Sequence, residues 1–340
     1  MNKIRIAING FGRIGRITLR HLLNNPNIEV AAINDLTNVA TLAHLLKYDS
    51  VHGRFPGDVG FDEKHLIAGE NAIPVFSEKQ PHLLPWRDLA VDLVLECSGK
   101  FRTTEAASAH LEAGAKRVLI SAPSDDNTPT LVLGVNDHLL NEDWQVLSNA
   151  SCTTNCLAPM VQVLDDLASV ESGYLATIHA YTSDQNLIDA PHKDLRRARS
   201  AAVNIIPTTT GATQATELVL PHLKGRLHGI SYRVPVPDGS ITDFTCMIKK
   251  EVSARDINDA FRAAASGRLL NILEFTDAPI VSSDITGNHH SCIFDSQLTV
   301  VRGKMVKVVG WYDNETGYSA RLADVAERVR QKASAKAQVT

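Results

Sequence analysis

The chain reads as an α/β protein: a Rossmann-type doubly wound parallel sheet followed by an α+β catalytic domain with a mixed or antiparallel sheet. Three observations predict this. A strand, a glycine fingerprint and a helix open the sequence. Short apolar strands then alternate with helical patterns as far as about Ser148, which implies a mostly parallel sheet covered on both faces. Beyond the middle of the chain, strands follow one another too densely for that alternation, and a second domain with its own sheet is expected. With 340 residues, 44% of them hydrophobic, there is chain enough for two substantial cores.

In the opening segment Ile4, Ile6 and Ile8 alternate with Arg5 and Ala7. They lead into Gly10-Phe11-Gly12-Arg13-Ile14-Gly15 and a helical pattern through Ile17, Leu19, Leu22 and Leu23. Gly10 permits a tight turn, Gly12 lets backbone approach a pyrophosphate, and Gly15 lets helix and strand pack closely. The helix N-terminus offers amides of Arg13 and Ile14 to an anion. A second strand, Ile28 to Asn34, ends in Asp35, where a dinucleotide fold places the acid for the adenosine ribose hydroxyls. A carboxylate there repels a 2'-phosphate, so NAD is favoured over NADP.

Between Thr37 and Ser148, Val39, Leu42, Leu45 and Leu46 suggest a helix. Val91 to Glu96, Val118 to Ser121, Thr130 to Val135 and Gln145 to Ser148 read as strands. Ligands bind at the carboxyl ends of such strands, so Ser98-Gly99 and Ser121-Ala122-Pro123 are either cofactor contacts or ordinary strand-ending turns. The expected division is a nucleotide domain of residues 1–151, joined by a C-terminal helix over 315–340, and a catalytic domain of 152–314.

The chain is organised around Ser148-Asn149-Ala150-Ser151-Cys152-Thr153-Thr154-Asn155-Cys156. Leu157, Val161, Leu164 and Leu167 recur at helical spacing after it, and Asn149 and Ser151 are candidate caps. Cys152 therefore stands at a helix N-terminus, where unpaired amides favour thiolate and predict a thiol pKa below the usual ~8.5. It is the candidate nucleophile; the alternative is a small buried residue at a helix start. Cys156, one turn on, is either a resolving thiol or a buried structural residue.

Gly173 to Tyr181 is an extended apolar run containing His179. A polar loop from Thr182 to Ala202 follows, long for a compact domain and so a candidate for function. Its basic cluster, Lys193, Arg196, Arg197 and Arg199, fits a solvated face or an anion site. Strands are expected over Leu227–Val236, Ile241–Lys250, Ser291–Asp295, Gln297–Val301 and Lys304–Tyr312, with helices over Ser253–Ser266 and from Thr316 to about Lys332. A formal net charge of -4 gives no reason to expect a nucleic-acid partner. No apolar run reaches the ~20 residues of a membrane span, and no signal-peptide pattern opens the sequence, so a membrane partner is not expected and the cytoplasm is. Five scattered cysteines argue against a disulfide framework, and no second Cys/His pair stands at ligand spacing for a metal.

The cysteine motif, the run Ile8-Asn9-Gly10-Phe11-Gly12-Arg13-Ile14-Gly15-Arg16, His179-Ala180-Tyr181-Thr182 and Trp311-Tyr312-Asp313-Asn314-Glu315 together resemble the phosphorylating glyceraldehyde-3-phosphate dehydrogenases over essentially the whole chain. The resemblance implies NAD-dependent oxidation of D-glyceraldehyde 3-phosphate to 1,3-bisphosphoglycerate, in glycolysis or gluconeogenesis. Cys152 would be the nucleophile that forms a thiohemiacetal and then a thioester, with His179 as its base. It assigns the substrate phosphate to Thr182 and Arg233, and the second anion to Ser151, Thr153, Thr210 and Gly211 with Arg197. It places Asn314 on the nicotinamide carboxamide, Tyr318 nearby, and Lys79 and Ser121 along the adenine and ribose side. Taken alone, Thr208-Thr209-Thr210-Gly211 would read as a helix-capping turn; both roles are compatible.

Two departures stand out. Thr316 occupies a position where the family often has tryptophan, between intact Asp313-Asn314-Glu315 and Gly317-Tyr318-Ser319. Ala190 precedes Pro191 where many NAD-specific members carry a bulkier apolar residue, which leaves room for some NADP use. The family is tetrameric, and a homotetramer is expected. Erythrose-4-phosphate dehydrogenase shares the fold and the cysteine, but Thr182 and Thr210-Gly211 fit the triose enzyme better. A thiol redox sensor on the same fold is the non-catalytic alternative.

Overall fold

The computed structural model describes residues 3–141 and 143–337. Met1, Asn2, Glu142 and the last three positions of the expected C-terminal helix, 338–340, lie outside the described residues. The chain forms two compact units. One comprises the chain up to Leu131, Asp137–Ala150 and the segment from Ser319 onward; the other comprises Val132–Asn136 and Ser151–Tyr318. Apart from the short excursion over Val132–Asn136, the crossings fall after Ala150 and Tyr318, one residue before and four residues after the breaks drawn from sequence. Ser151 caps the helix that follows it, accepting the Thr154 N–H at 3.0 Å. Asp313 holds the backbone of Glu315 and Thr316 at the other crossing.

The first unit runs β1 (Ile4–Asn9), α1 (Arg13–Leu23), β2 (Ile28–Asn34), α2 (Val39–Lys47), β3 (Val59–Phe61), β4 (His65–Ala68), β5 (Asn71–Phe76), β6 (Leu93–Glu96), α3 (Thr104–Glu112), β7 (Val118–Ile120) and β8 (Val146–Ser148). Its sheet has the order β3-β4-β5-β2-β1-β6-β7-β8. Strands β5 to β8 in that order are parallel, and β4 and β3 add an antiparallel edge. The central strands are buried on both faces, with Ile6, Ile8, Leu93, Val94 and Leu119 fully inaccessible, as covered parallel strands require. Strand order reverses on either side of β1, so the crevice beyond its carboxyl end is the topological switch point.

The second unit contains α4 (Cys152–Ala168), β9 (Val170–Ala180), β10 (Ile206–Thr208), α5 (Ala212–Val219), β11 (Leu227–Val234), β12 (Ser240–Ile248), α6 (Ala254–Ser266), β13 (Leu273–Thr276), β14 (Cys292–Asp295), β15 (Val300–Arg302) and β16 (Met305–Tyr312). Its mixed sheet has the order β10-β11-β9-β12-β16-β14-β13, with β15 beside β16. Helix α4 packs across β9, β12, β14 and β16 and buries Leu157, Val161 and Leu164. The last helix, α7 (Thr316–Ala337), buries Leu322, Val325 and Val329 on one face, and from Ser319 on it belongs with the first unit.

Two expected strands are corrected. Over Thr130–Val135 only Thr130 makes a bridge, to Ser148. The rest turns, because Gly134 takes φ +83 and Asn136 Oδ1 takes the Val132 N–H at 2.8 Å. In Gln297–Val301, Ser296–Leu298 is a 3-10 turn capped by Asp295, and the strand begins at Val300. Two glycines set the β1–α1 junction. Gly10 has φ +92, and a Cβ on Gly15 would stand 2.2 Å from the Gly10 carbonyl oxygen. Gly15→Ala is therefore expected to lower stability by about 1–3 kcal/mol, the scale of overpacking in a tight core. A thermal unfolding midpoint equal to that of the unaltered protein would refute the close-packing role.

Candidate active site

In the first unit a cleft of about 550 Å³ opens at the switch point. Asn9, Gly10, Gly12, Asn34, Asp35, Lys79 and Ser98 are among its lining residues. A Cβ on Gly12 would meet nothing within 4 Å, so this glycine leaves open space where a ligand's phosphates would lie. No side chain caps α1, and its first turn holds no acid, so the helix start is a site for an anion. Asp35 takes the Phe11 N–H on Oδ2 at 2.7 Å and the Thr37 N–H on Oδ1 at 2.9 Å, which fixes the carboxylate at the rim of the glycine loop. These residues fit a dinucleotide: an anion site at the helix start, and an acid beyond the second strand for a ribose. The Arg13 side chain is drawn onto Asp49 at 2.6 Å. Ser121 bonds the Cys97 thiol, which burial pushes up to about 12.

Beneath this cleft sits Glu96, only 1% exposed, an acid that the sequence reading did not single out. Its Oε2 accepts from Asn9 Nδ2 at 2.5 Å and pairs with His110 Nε2 at 3.1 Å. Its Oε1 accepts from the Ser98 N–H at 2.8 Å and from the Ser98 hydroxyl at 2.5 Å. Trp86 Nε1 donates to His110 Nδ1 at 3.0 Å, so the proton of a neutral imidazole must be on Nε2, facing Glu96. A buried carboxylate with this many donors is tolerated, and it fixes Ser98 and Asn9 in the cleft wall.

The second unit holds the thiol. Ala150 takes φ +55, and this turn leads into the Ser151 cap and Cys152 at the start of α4. Cys152 Sγ lies 3.4 Å from His179 Nε2. His179 Nδ1 lies 2.7 Å from the Ala180 carbonyl oxygen, which can only accept, and 3.3 Å from Arg233 Nη1, which can only donate. The shorter contact places the proton on Nδ1, and Nε2 faces the sulfur as an acceptor. Burial overrides the expectation of a depressed thiol and pushes Cys152 up to about 11, while Arg233 and the amides of Thr153 and Cys152 pull the other way. Burial, with the Arg233 charge beside it, holds His179 down to about 3. Burial thus acts against the charged form of both groups, and the Sγ–Nε2 contact is the short path by which the proton leaves as the sulfur attacks.

Strand register places the arginine. Strand β11 runs parallel to β9 with Arg233 opposite His179. Arg233 Nη1 donates to Thr182 Oγ1 at 2.8 Å and to the Ala180 carbonyl at 3.2 Å. The Thr182 hydroxyl donates to Asp184, and Asp184 Oδ2 pairs with Arg197 Nη1 at 2.7 Å. Arg197 Nε also donates to Thr208 Oγ1 at 3.0 Å. The structure therefore brings Thr182, Arg233 and Arg197 into one network through Asp184, which the sequence reading missed. Thr210 and Gly211 stand at the start of α5, where Thr210 Oγ1 takes the Ala212 N–H at 3.2 Å. Ser151 is engaged as a helix cap, and the buried Thr153 hydroxyl meets Tyr312 Oη at 2.9 Å, so neither side chain joins that network.

Asn314 and Tyr318 are both buried, Asn314 beside β12, where Ser240 donates to its Oδ1 at 2.7 Å. Thr316 keeps the helix start intact, its N–H on Asp313 Oδ1 at 2.7 Å. Burial, with the Asp313 carboxyl beside it, pushes Asp238 up to about 9. Cys156 is fully buried, 3.9 Å from Met160 Sδ. It also faces Cys292 across Gly310.

A glycine-fingerprint dinucleotide unit and a unit in which a helix-start thiol faces an imidazole define a pyridine-nucleotide-dependent oxidoreductase that works through a covalent adduct. Comparison with known proteins is specific. Residues 4–104 match the glyceraldehyde 3-phosphate dehydrogenase NAD binding domain, and residues 151–314 match the C-terminal domain of the same family. Glyceraldehyde-3-phosphate dehydrogenase of Mycobacterium avium is 55% identical over 333 residues, covering 96% of this chain and 98% of that protein. The enzyme of Kitasatospora aureofaciens is 54% identical over 325 residues, covering 95% and 98%. Glyceraldehyde-3-phosphate dehydrogenase 1 of Streptomyces avermitilis is 51% identical, covering 95% and 97%. The chain belongs to the glyceraldehyde-3-phosphate dehydrogenase family, and its cofactor is NAD. Because Nε2 is the acceptor nearest the thiol, His179→Asn is expected to slow carboxamidomethylation of Cys152 at pH 7.5 by about a hundredfold. An unchanged alkylation rate would remove His179 as the base.

Proposed function

We propose that the protein oxidises D-glyceraldehyde 3-phosphate with inorganic phosphate to 1,3-bisphosphoglycerate. The observation that carries this reading is Cys152 Sγ 3.4 Å from His179 Nε2, with Arg233 in register beside the histidine. Cys152 attacks the aldehyde carbon while Nε2 takes the thiol proton, and the thiohemiacetal results. The protonated imidazole then faces the adduct oxygen. NAD, when bound, supplies the hydride acceptor that raises the adduct to the thioester level; Gly10, Gly12, Asp35 and Asn314 are the residues that would hold it. Arg233 offers donors to the substrate phosphate, and the Thr182 hydroxyl beside it joins once its proton turns from Asp184. Arg197 with the Thr210-Gly211 helix start offers them to the attacking phosphate, whose addition at the thioester carbon releases Cys152.

The expected signature is catalytic NADH formation from glyceraldehyde 3-phosphate that requires inorganic phosphate, with at most one equivalent per active site in its absence. Sustained turnover without phosphate would mean that water resolves the thioester, and would move the protein toward the erythrose-4-phosphate enzyme. A thiol sensor would show a reactive Cys152 and no aldehyde-dependent NADH at all. Ala190 leaves room for some NADP use; an NADP rate indistinguishable from background would remove that part.

A homotetramer belongs to the same proposal. The loop after Thr182 exposes Leu187 (74%), Leu195 (82%) and Val203 (75%), more large apolar surface than an isolated loop leaves in water. Sedimentation equilibrium is expected to give four times the 37.0 kDa chain mass, and a monomer would refute it. The five free thiols support the expected cytoplasmic setting, which cell fractionation checks.

A further inference from the structure

Ser240 opens β12 and is fully buried. It stands where two other strands end: β12 pairs Ser240 with Tyr312 of β16 and Ile241 with Ile178 of β9. Its hydroxyl makes two bonds. The Ala180 N–H donates to Ser240 Oγ at 3.1 Å, and Ser240 Oγ lies 2.7 Å from Asn314 Oδ1. A backbone amide can only donate, so the hydroxyl accepts there. With the oxygen of Asn314 toward it, the hydroxyl proton is paired as well. With the NH2 group toward it, the hydroxyl would accept twice and leave its proton unpaired in a buried position. Asn314 is thereby favoured with its oxygen toward Ser240 and its NH2 group away.

A side-chain amide is nearly symmetric in shape, and without such a constraint its two ends exchange places freely. The backbone on either side of Asn314 is held independently. Asp313 accepts the Glu315 and Thr316 N–H groups through Oδ1 and the Gly287 N–H through Oδ2 at 2.7 Å. Rotation of the amide is what remains, and Ser240 restrains it. Ala180 also presents its carbonyl to His179 Nδ1 at 2.7 Å. The two peptides that flank the Ala180 Cα therefore set the tautomer of the base and, through Ser240, the facing of Asn314.

We propose that Ser240 is a positioning residue of the reaction: it fixes Asn314 as a hydrogen-bond donor toward the carbonyl of the nicotinamide carboxamide, in register with His179. This rests on the reading that Asn314 meets the carboxamide. Ser240→Ala leaves the amide free to turn. The carboxamide of NAD can pair with either end of a turning amide, since it carries both a carbonyl and an NH2. The 3-acetylpyridine analogue of NAD keeps the carbonyl and lacks the NH2, so it can pair with one end only.

The experiment is steady-state kinetics of the intact enzyme with each dinucleotide, alongside the Kd of ADP-ribose, which lacks the nicotinamide. In Ser240→Ala, kcat/KM is expected to fall about tenfold further with the analogue than with NAD, the scale of one hydrogen bond, while the Kd of ADP-ribose stays within twofold. Ser240→Cys keeps the volume and donates only weakly, and gives the same direction of change should Ser240→Ala be unstable. Equal losses with both dinucleotides, or a matching loss of ADP-ribose affinity, would mean that the serine acts through the fold and would overturn the proposal. Asn314→Ala separates the underlying reading: unchanged kcat/KM with NAD there would show that Asn314 does not serve the cofactor, and the role of Ser240 would fall with it.

Discussion

The hydrogen bond between His179 Nδ1 and the carbonyl of Ala180 is the constraint on which the site depends. An imidazole held this way has only one nitrogen left to offer, and the geometry of α4 and β9 turns that nitrogen to the thiol of Cys152. Had Nδ1 faced water, both tautomers would be open and the base would be correct only part of the time. Strand pairing supplies the rest. Arg233 is opposite His179 because β11 and β9 run in parallel with that register, and a slip of one residue would put the guanidinium on the other face of the sheet.

Burial has two opposite effects here. It acts against both charged forms of the thiol–imidazole pair. It also leaves the helix-start amides and Arg233 undiluted by solvent, so the thiolate that forms during attack meets donors already in place. The position of Cys152 at a helix N-terminus thus bears on the attacking sulfur more than on the resting one, a distinction that helix position alone does not reveal.

The parts legible in the sequence were those carried by local pattern. The Gly10–Gly15 turn, the amphipathic α4 and the apolar run around His179 each show in a window of about ten residues. The edge strands β3 and β4 escaped because, unlike the equally short but fully buried β7, they are partly exposed and carry no continuous apolar run, and Thr130–Val135 misled because its apolar residues are buried in a turn. The polar partners escaped for another reason: Asn9 and Glu96 are 87 residues apart, Thr153 and Tyr312 are 159 apart, and Ser240 and Asn314 are 74 apart. Spacing cannot report a contact that only the completed sheet creates. Asp184 is nearer Arg197, but it lies in a loop whose charges read equally well as solvated.

Glu96 carries a consequence for how such a chain can change over generations. The carboxylate is satisfied by groups from β1, α3 and the turn after β6, and Trp86 in turn sets the histidine that faces it. Losing any one member leaves a buried acceptor or donor without its partner. Asn9, Trp86, Glu96, Ser98 and His110 therefore depend on one another. Among descendants of this chain, single drift at these five positions is expected to be rare, and replacements are expected to arrive in compensating sets.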